Sequence, residues 1–150
     1  MRVIYLAHPL TALSIPAEAA NRQSAANWGA WISVTFCVAV TADWIWFSRE
    51  LSETWALECD KALVERCDEL WMVGARVSNG MAVEAQHARL HEKPVYDLTG
   101  LPRHQGLIED ALAEQGRCPA CGCDLASCRG FQLNQRKCCP DCPTSHGRTA

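Results

Sequence analysis

The stretch Ser78-Asn79-Gly80-Met81-Ala82-Val83-Glu84 follows a short apolar run, Glu69 to Val73, and a glycine at 74. That order reads as a helix opening just after a strand. A helix start offers unpaired N–H groups and the positive end of the helix dipole. Ser78 adds a hydroxyl and Gly80 permits close backbone approach, so Ser78, Asn79 and Gly80 make a candidate seat for an anion or phosphate. Glu84 lies about one turn further on and is placed to face the same pocket. There it is expected to stay ionised, as a carboxylate nucleophile must. On the local pattern alone a plainer arrangement is commoner: a serine cap and a solvated surface glutamate.

Other candidates are weaker singly. Asp60 stands among Glu58, Lys61 and Glu65 on a charged helical segment, where a solvated position is the usual outcome. Asp68 precedes the apolar run and can simply cap a turn. His8 and Pro9 follow the first apolar run, in Ala7-His8-Pro9-Leu10-Thr11, and a loop histidine is more often hydrogen-bonded than catalytic. Trp44 and Trp46 alternate as on a strand or loop edge and read as core or lid.

A second constellation is made of sulfur. Seven of the ten cysteines lie between Cys118 and Cys142. Cys118-Pro-Ala-Cys121 and Cys139-Pro-Asp-Cys142 are two C-x2-C knuckles with the spacing of a zinc ribbon, and four thiolates suit tetrahedral structural zinc. Cys123, Cys128, Cys138 and His146 leave room for other ligand sets. A module this small has too little core to fold without metal.

The elements that must position these groups alternate. Val3 to Ala7 predicts a buried strand, residues 17–32 a helix, and Val34 to Val40 a second strand. Residues 42–50 read as a loop with exposed aromatics. Ser52 caps a second helix running to about Arg66. Glu69 to Val73 is a third strand, Ser78 to about His91 a third helix, Pro94 to Tyr96 an edge strand, and Gln105 to Gln115 a fourth helix closed by Gly116. The expected fold is α/β: a three-layer, flavodoxin- or Rossmann-like parallel-sheet domain over residues 1–116, followed by a zinc-ribbon module over 117–150. In such sheets ligands bind beyond the carboxyl ends of the strands, where strand order reverses.

Composition narrows the classes further. Hydrophobic residues are 49% and charged residues 21%, too globular for disorder. No apolar run spans a bilayer and no secretory leader is recognisable, so a reducing, cytoplasmic compartment without membrane attachment is expected. The net charge of -3 is uneven: residues 117–150 carry +3 and the rest -6. An acidic main domain argues against general nucleic-acid binding, and the basic tail with Phe131 alone supports it only weakly.

Taken together, several motifs resemble the nucleoside 2-deoxyribosyltransferase-like superfamily. They are Tyr5-Leu6-Ala7-His8-Pro9-Leu10, Asn21, Asp60-x7-Asp68-Glu69-Leu70-Trp71, Ser78-x-Gly80-Met81-x-x-Glu84 and Lys93-Pro94-Val95. The nearest likeness is to an often phage-encoded branch with this Ala-His-Pro-Leu loop, which would place the protein in host cytoplasm. The resemblance covers about residues 1–101. It implies cleavage of the N-glycosidic bond of a nucleoside or nucleotide, with Glu84 attacking the anomeric carbon and Asp60 contacting sugar hydroxyls and orienting the nucleophile. Tyr5, His8, Pro9, Asp68, Ser78, Asn79 and Gly80 would contact substrate, and a homo-oligomer would complete the pocket. Transferases of this kind carry Asp where this chain has Ser78, whereas hydrolases of 5′-monophosphates carry Ser. A hydroxyl donates to phosphate where a carboxylate repels it, so hydrolysis of a 5′-monophosphate is the expectation. The first loop lacks the Gly/Ser/Arg-rich character of those hydrolases, with Arg76 or Arg22 as substitutes for it. Deoxyribosyl transfer, or a nucleotide-binding sensor whose zinc module serves assembly or nucleic-acid contact, are the alternatives.

Overall fold

The computed structural model describes residues 1–42 and 52–117, without the side chain of Glu53. The expectations of an aromatic loop around Trp44 and Trp46 and of a zinc ribbon at Cys118 to Cys142 therefore fall outside the described residues. The chain divides into two compact units, Met1–Arg103 and His104–Ala150.

The first unit is an α/β layer structure. Its elements are β1 (Val3–Ala7), α1 (Ile15–Phe36), β2 (Ala39–Thr41), α2 (Glu53–Arg66), β3 (Glu69–Met72), α3 (Asn79–Leu90) and β4 (Val95–Asp97). The four strands form one parallel sheet in the order β2-β1-β3-β4. β1 and β3 are the inner strands and are buried almost throughout, which explains their apolar runs. β4, with its preceding proline, is an edge strand as expected.

Side chains leave the inner strands alternately to two faces. On one, Tyr5, Ala7, Leu70 and Met72 pack with Val64 and Cys67 of α2 and its cap and with Met81, Ala85 and Ala88 of α3. On the other, an edge-to-face row of rings runs from Trp28, Trp31 and Phe36 of α1 to Trp71 and Tyr96, at centroid spacings of 5.4 to 6.5 Å. Such pairs add about 0.5–1.5 kcal/mol each beyond their buried area.

One expectation fails. Val34 to Val40 is not a strand: α1 runs on to Phe36, Cys37 caps it in a left-handed conformation with φ 52°, and only Ala39–Thr41 pairs with β1. The β-branched residues favour a strand locally, but the helix must continue for Phe36 to meet Trp71. Tertiary packing overrides propensity here. The other helix limits lie within two residues of expectation, and Ser52 caps α2 by accepting the Trp55 N–H at 3.2 Å.

In the second unit, α4 (Gln105–Glu114) is capped by His104 and ends before Gly116, whose φ is 87°. On sequence this helix belongs with the first 116 residues, whereas the division between units falls at Arg103.

At the carboxyl ends of β1 and β3, Gly74 has φ 101°, and a Cβ there would lie 2.9 Å from Pro9 Cδ and 3.1 Å from the His8 ring. Gly74→Ala is expected to destabilise the fold by about 1–3 kcal/mol, read as a lowered midpoint in denaturant with an unchanged slope.

Candidate functional site

Strand order reverses between β1 and β3, because the connections from β1 lead first to β2 on one side and later to β3 on the other. The carboxyl ends of these two strands are thus the switch point at which α/β sheets bind ligands. The ladders extend past the strands there. Val73 N–H donates to Ala7 O at 2.9 Å, and Gly100 N–H donates to Gly74 O at 2.7 Å. Both loops are held in place by backbone bonds.

An open cleft of about 930 Å³ lies over this edge. His8, Pro9, Asn21, Trp28, Arg76 and Arg103 are among the residues that line it. Arg76 and Arg103 are both exposed, and among the described residues neither has an ion-pair partner. Arg22 instead pairs with Glu18 at 3.2 Å. Asn21 donates to Leu10 O at 2.9 Å and so shapes the first loop. His8 is buried, with Nδ1 2.8 Å from Pro9 O and Nε2 3.0 Å from Ser24 Oγ. A carbonyl can only accept, so Nδ1 carries the proton and Nε2 accepts from the serine hydroxyl. Burial lowers the pKa of His8, only partly offset by the Pro9 carbonyl, and keeps the ring neutral.

Ser78 is the N-cap of α3. Its Oγ accepts the Met81 N–H at 3.3 Å and its own N–H donates to Met81 Sδ at 3.4 Å. The hydroxyl hydrogen stays available to an oxyanion. Asn79 and Gly80 are exposed in the first turn. The 74–78 loop thus joins the cleft, lined by its first residues, to the capped start of α3.

A second feature lies on the α2–α3 side of the sheet, outside the cleft lining. Glu84 and Asp60 are 7% and 6% exposed, so neither is the solvated surface residue its local pattern suggests. Tyr5, fully buried on β1, donates its hydroxyl to Glu84 Oε1 at 3.0 Å and also hydrogen-bonds Asp60. The phenol is pushed well above its ordinary value by burial and by both carboxylates. Glu84 is pushed up to about 8, first by burial and then by the Asp60 charge, against a lowering hydrogen bond from Tyr5. The expectation of a freely ionised carboxylate is therefore corrected: at neutral pH Glu84 mostly holds a proton. Two acids on separate helices share one dry site, where desolvation and like charge disfavour double ionisation.

Asp68 is not brought to this group. Its Oδ2 accepts the Val3 N–H at 2.7 Å, at the amino ends of β1 and β3, away from the cleft. Sequence reasoning missed Arg103, Ser24 and Gly74. Gly74, after an apolar run, carried a turn signal; Arg103 carried none.

A family model described as a domain of unknown function (DUF7768) matches residues 3–98. The chain belongs to this family. No curated protein matches it. The DUF7768 domain takes in the whole sheet with Tyr5, Asp60, Ser78 and Glu84, and it stops short of Gly100 to Arg103. No helix among its described residues is long and apolar enough to cross a membrane.

The raised Glu84 value has a defined consequence for this DUF7768 domain. Between its ordinary value of 4.5 and about 8, the folded state keeps a proton that the unfolded state releases. Stability therefore falls as pH rises through that window, at up to about 1.4 kcal/mol per pH unit. Glu84→Gln removes this dependence. Its melting temperature should match the wild type near pH 4 and exceed it increasingly towards pH 8, measured by calorimetry across pH.

Proposed function

We propose that the protein cleaves the N-glycosidic bond of a nucleoside or nucleoside 5′-monophosphate, with Glu84 as nucleophile. The observation that carries this reading is the pair of buried acids, Glu84 and Asp60, gathered around the Tyr5 hydroxyl next to a sheet switch point. The motif resemblance supports it independently. A Glu84 oxygen forms a bond to the anomeric carbon as the carbon–nitrogen bond breaks, and the base leaves with the electron pair and takes up a proton. Water then attacks the same carbon, restoring the carboxylate and freeing the sugar, the retaining logic of two-carboxylate glycosidases. Asp60 is suited to sugar hydroxyls, and Tyr5 holds Glu84 in one orientation. The α3 start and Ser78 would receive a phosphate, with Arg76 and Arg103 at the cleft adding charge.

Purified protein incubated with a panel of nucleosides and 5′-monophosphates should release free base. Glu84→Gln should lower the rate by at least about 10³-fold, as expected for loss of a nucleophile. Release from none of the panel by the folded protein removes the proposal. Because only the ionised acid attacks, kcat/KM should rise with pH up to about 8 and then level. Tyr5→Phe removes a bond that favours the carboxylate and should move this rise to higher pH. Joint replacement of Arg76 and Arg103 by Ala should raise KM for 5′-monophosphates and leave nucleosides unchanged.

A second reading, nucleotide binding without turnover, is favoured by a separate observation: neither Glu84 nor Asp60 lines the open cleft. Product-free binding that survives Glu84→Gln would decide for it. The structural zinc proposed for Cys118, Cys121, Cys139 and Cys142 rests on their spacing alone.

A further inference from the structure

Away from the Tyr5–Glu84–Asp60 group, three potential ligands converge on the outer side of the α2–α3 pair. His87 and His91 are one turn apart near the end of α3, and Glu65 is near the end of α2. One ligand atom from each residue lies within 4.8 Å of the other two. His87 Nε2 is 2.9 Å and His91 Nε2 3.6 Å from the same Glu65 oxygen, and the two rings are 4.5 Å apart. All three side chains are reachable from solvent, at 18% exposure for His87 and 44–45% for the others.

We propose that Glu65, His87 and His91 form a binding site for a divalent transition metal ion, which would clamp α2 to α3. Metal–ligand bonds of about 2.0–2.2 Å in tetrahedral geometry set neighbouring ligand atoms about 3.4 Å apart. The two distances to Glu65 bracket that value, and the two histidine ligand atoms lie within 4.8 Å of each other. Two imidazoles at i and i+4 with one carboxylate suit zinc, nickel or copper rather than magnesium or calcium, which prefer oxygen ligands. Three protein ligands leave at least one position to water. Glu65 and the histidine pair flank Val64 and Ala88, which belong to the core cluster under both helices. A bound ion would thus tie together the two helices that carry Asp60 and Glu84. This site does not depend on the glycosidic reading.

The test uses the full chain, stripped of metal with a chelator and titrated with zinc and, separately, nickel. The comparison protein is the double variant His87→Gln and His91→Gln, whose cysteines are unchanged, so metal taken up by the tail cancels. The wild type should bind one more equivalent than the double variant, and metal should raise its melting temperature further. Glu65→Gln should weaken that equivalent at least tenfold. Equal metal-free melting temperatures confirm that the variants fold. An equal number of equivalents in wild type and double variant overturns the proposal and leaves these residues a surface ion pair.

Discussion

β1 is hydrogen-bonded along both edges, to β2 on one side and β3 on the other, and the N–H of its first residue, Val3, goes to the Asp68 carboxylate. The buried acid group and the first loop of the cleft both depend on that strand. Its alternation sends Tyr5 towards α2 and α3, while Ile4 and Leu6 go to the opposite face. Its end delivers His8 and Pro9 to the cleft. A slip of one residue would exchange the faces and remove the tyrosine from the acids altogether.

The acids themselves are an unfavourable arrangement that the fold tolerates. A carboxyl group removed from water must either find a partner or keep its proton. Glu84 does both in part, with Tyr5 as donor and a pKa of about 8. Local conflicts of this kind concentrate at functional sites, because a group under such pressure changes state readily when a ligand alters its surroundings. Nothing in apolar packing requires a second acid beside it. Alanine or leucine at 60 would fill the same inward face of α2 without desolvating a charge.

Much of this was legible in residue order. The alternation of apolar runs and amphipathic segments marked the parallel α/β fold, and serine caps at 52 and 78 marked two helix starts correctly. The junction of α1 and β2 was not legible, because Val34 and Val38 satisfy a strand pattern just as well as a helix end. Only the distant ring of Trp71 decides between them. Glu84 and Ser78 were visible as a pair through helical spacing. Burial was the hidden variable: Asp60 sits between charged neighbours in sequence, and no local signal says that it alone of them turns inward. The Tyr5 contact joins residues 79 positions apart, beyond the reach of any periodicity.

The contrast between strand and helix bonding also bears on how a ligand reaches Glu84. Three ladders tie the four strands, and β1 and β3 each take part in two of them, so the floor of the site is the stiffest part of the unit. Among the described residues, α2 and α3 pack on that floor through side chains. A path to the buried acid between α2 and α3 would open by the two helices parting or rolling on the sheet. Access to Glu84 is in this sense a property of the helix pair, and whatever ties those helices together governs how often the door swings.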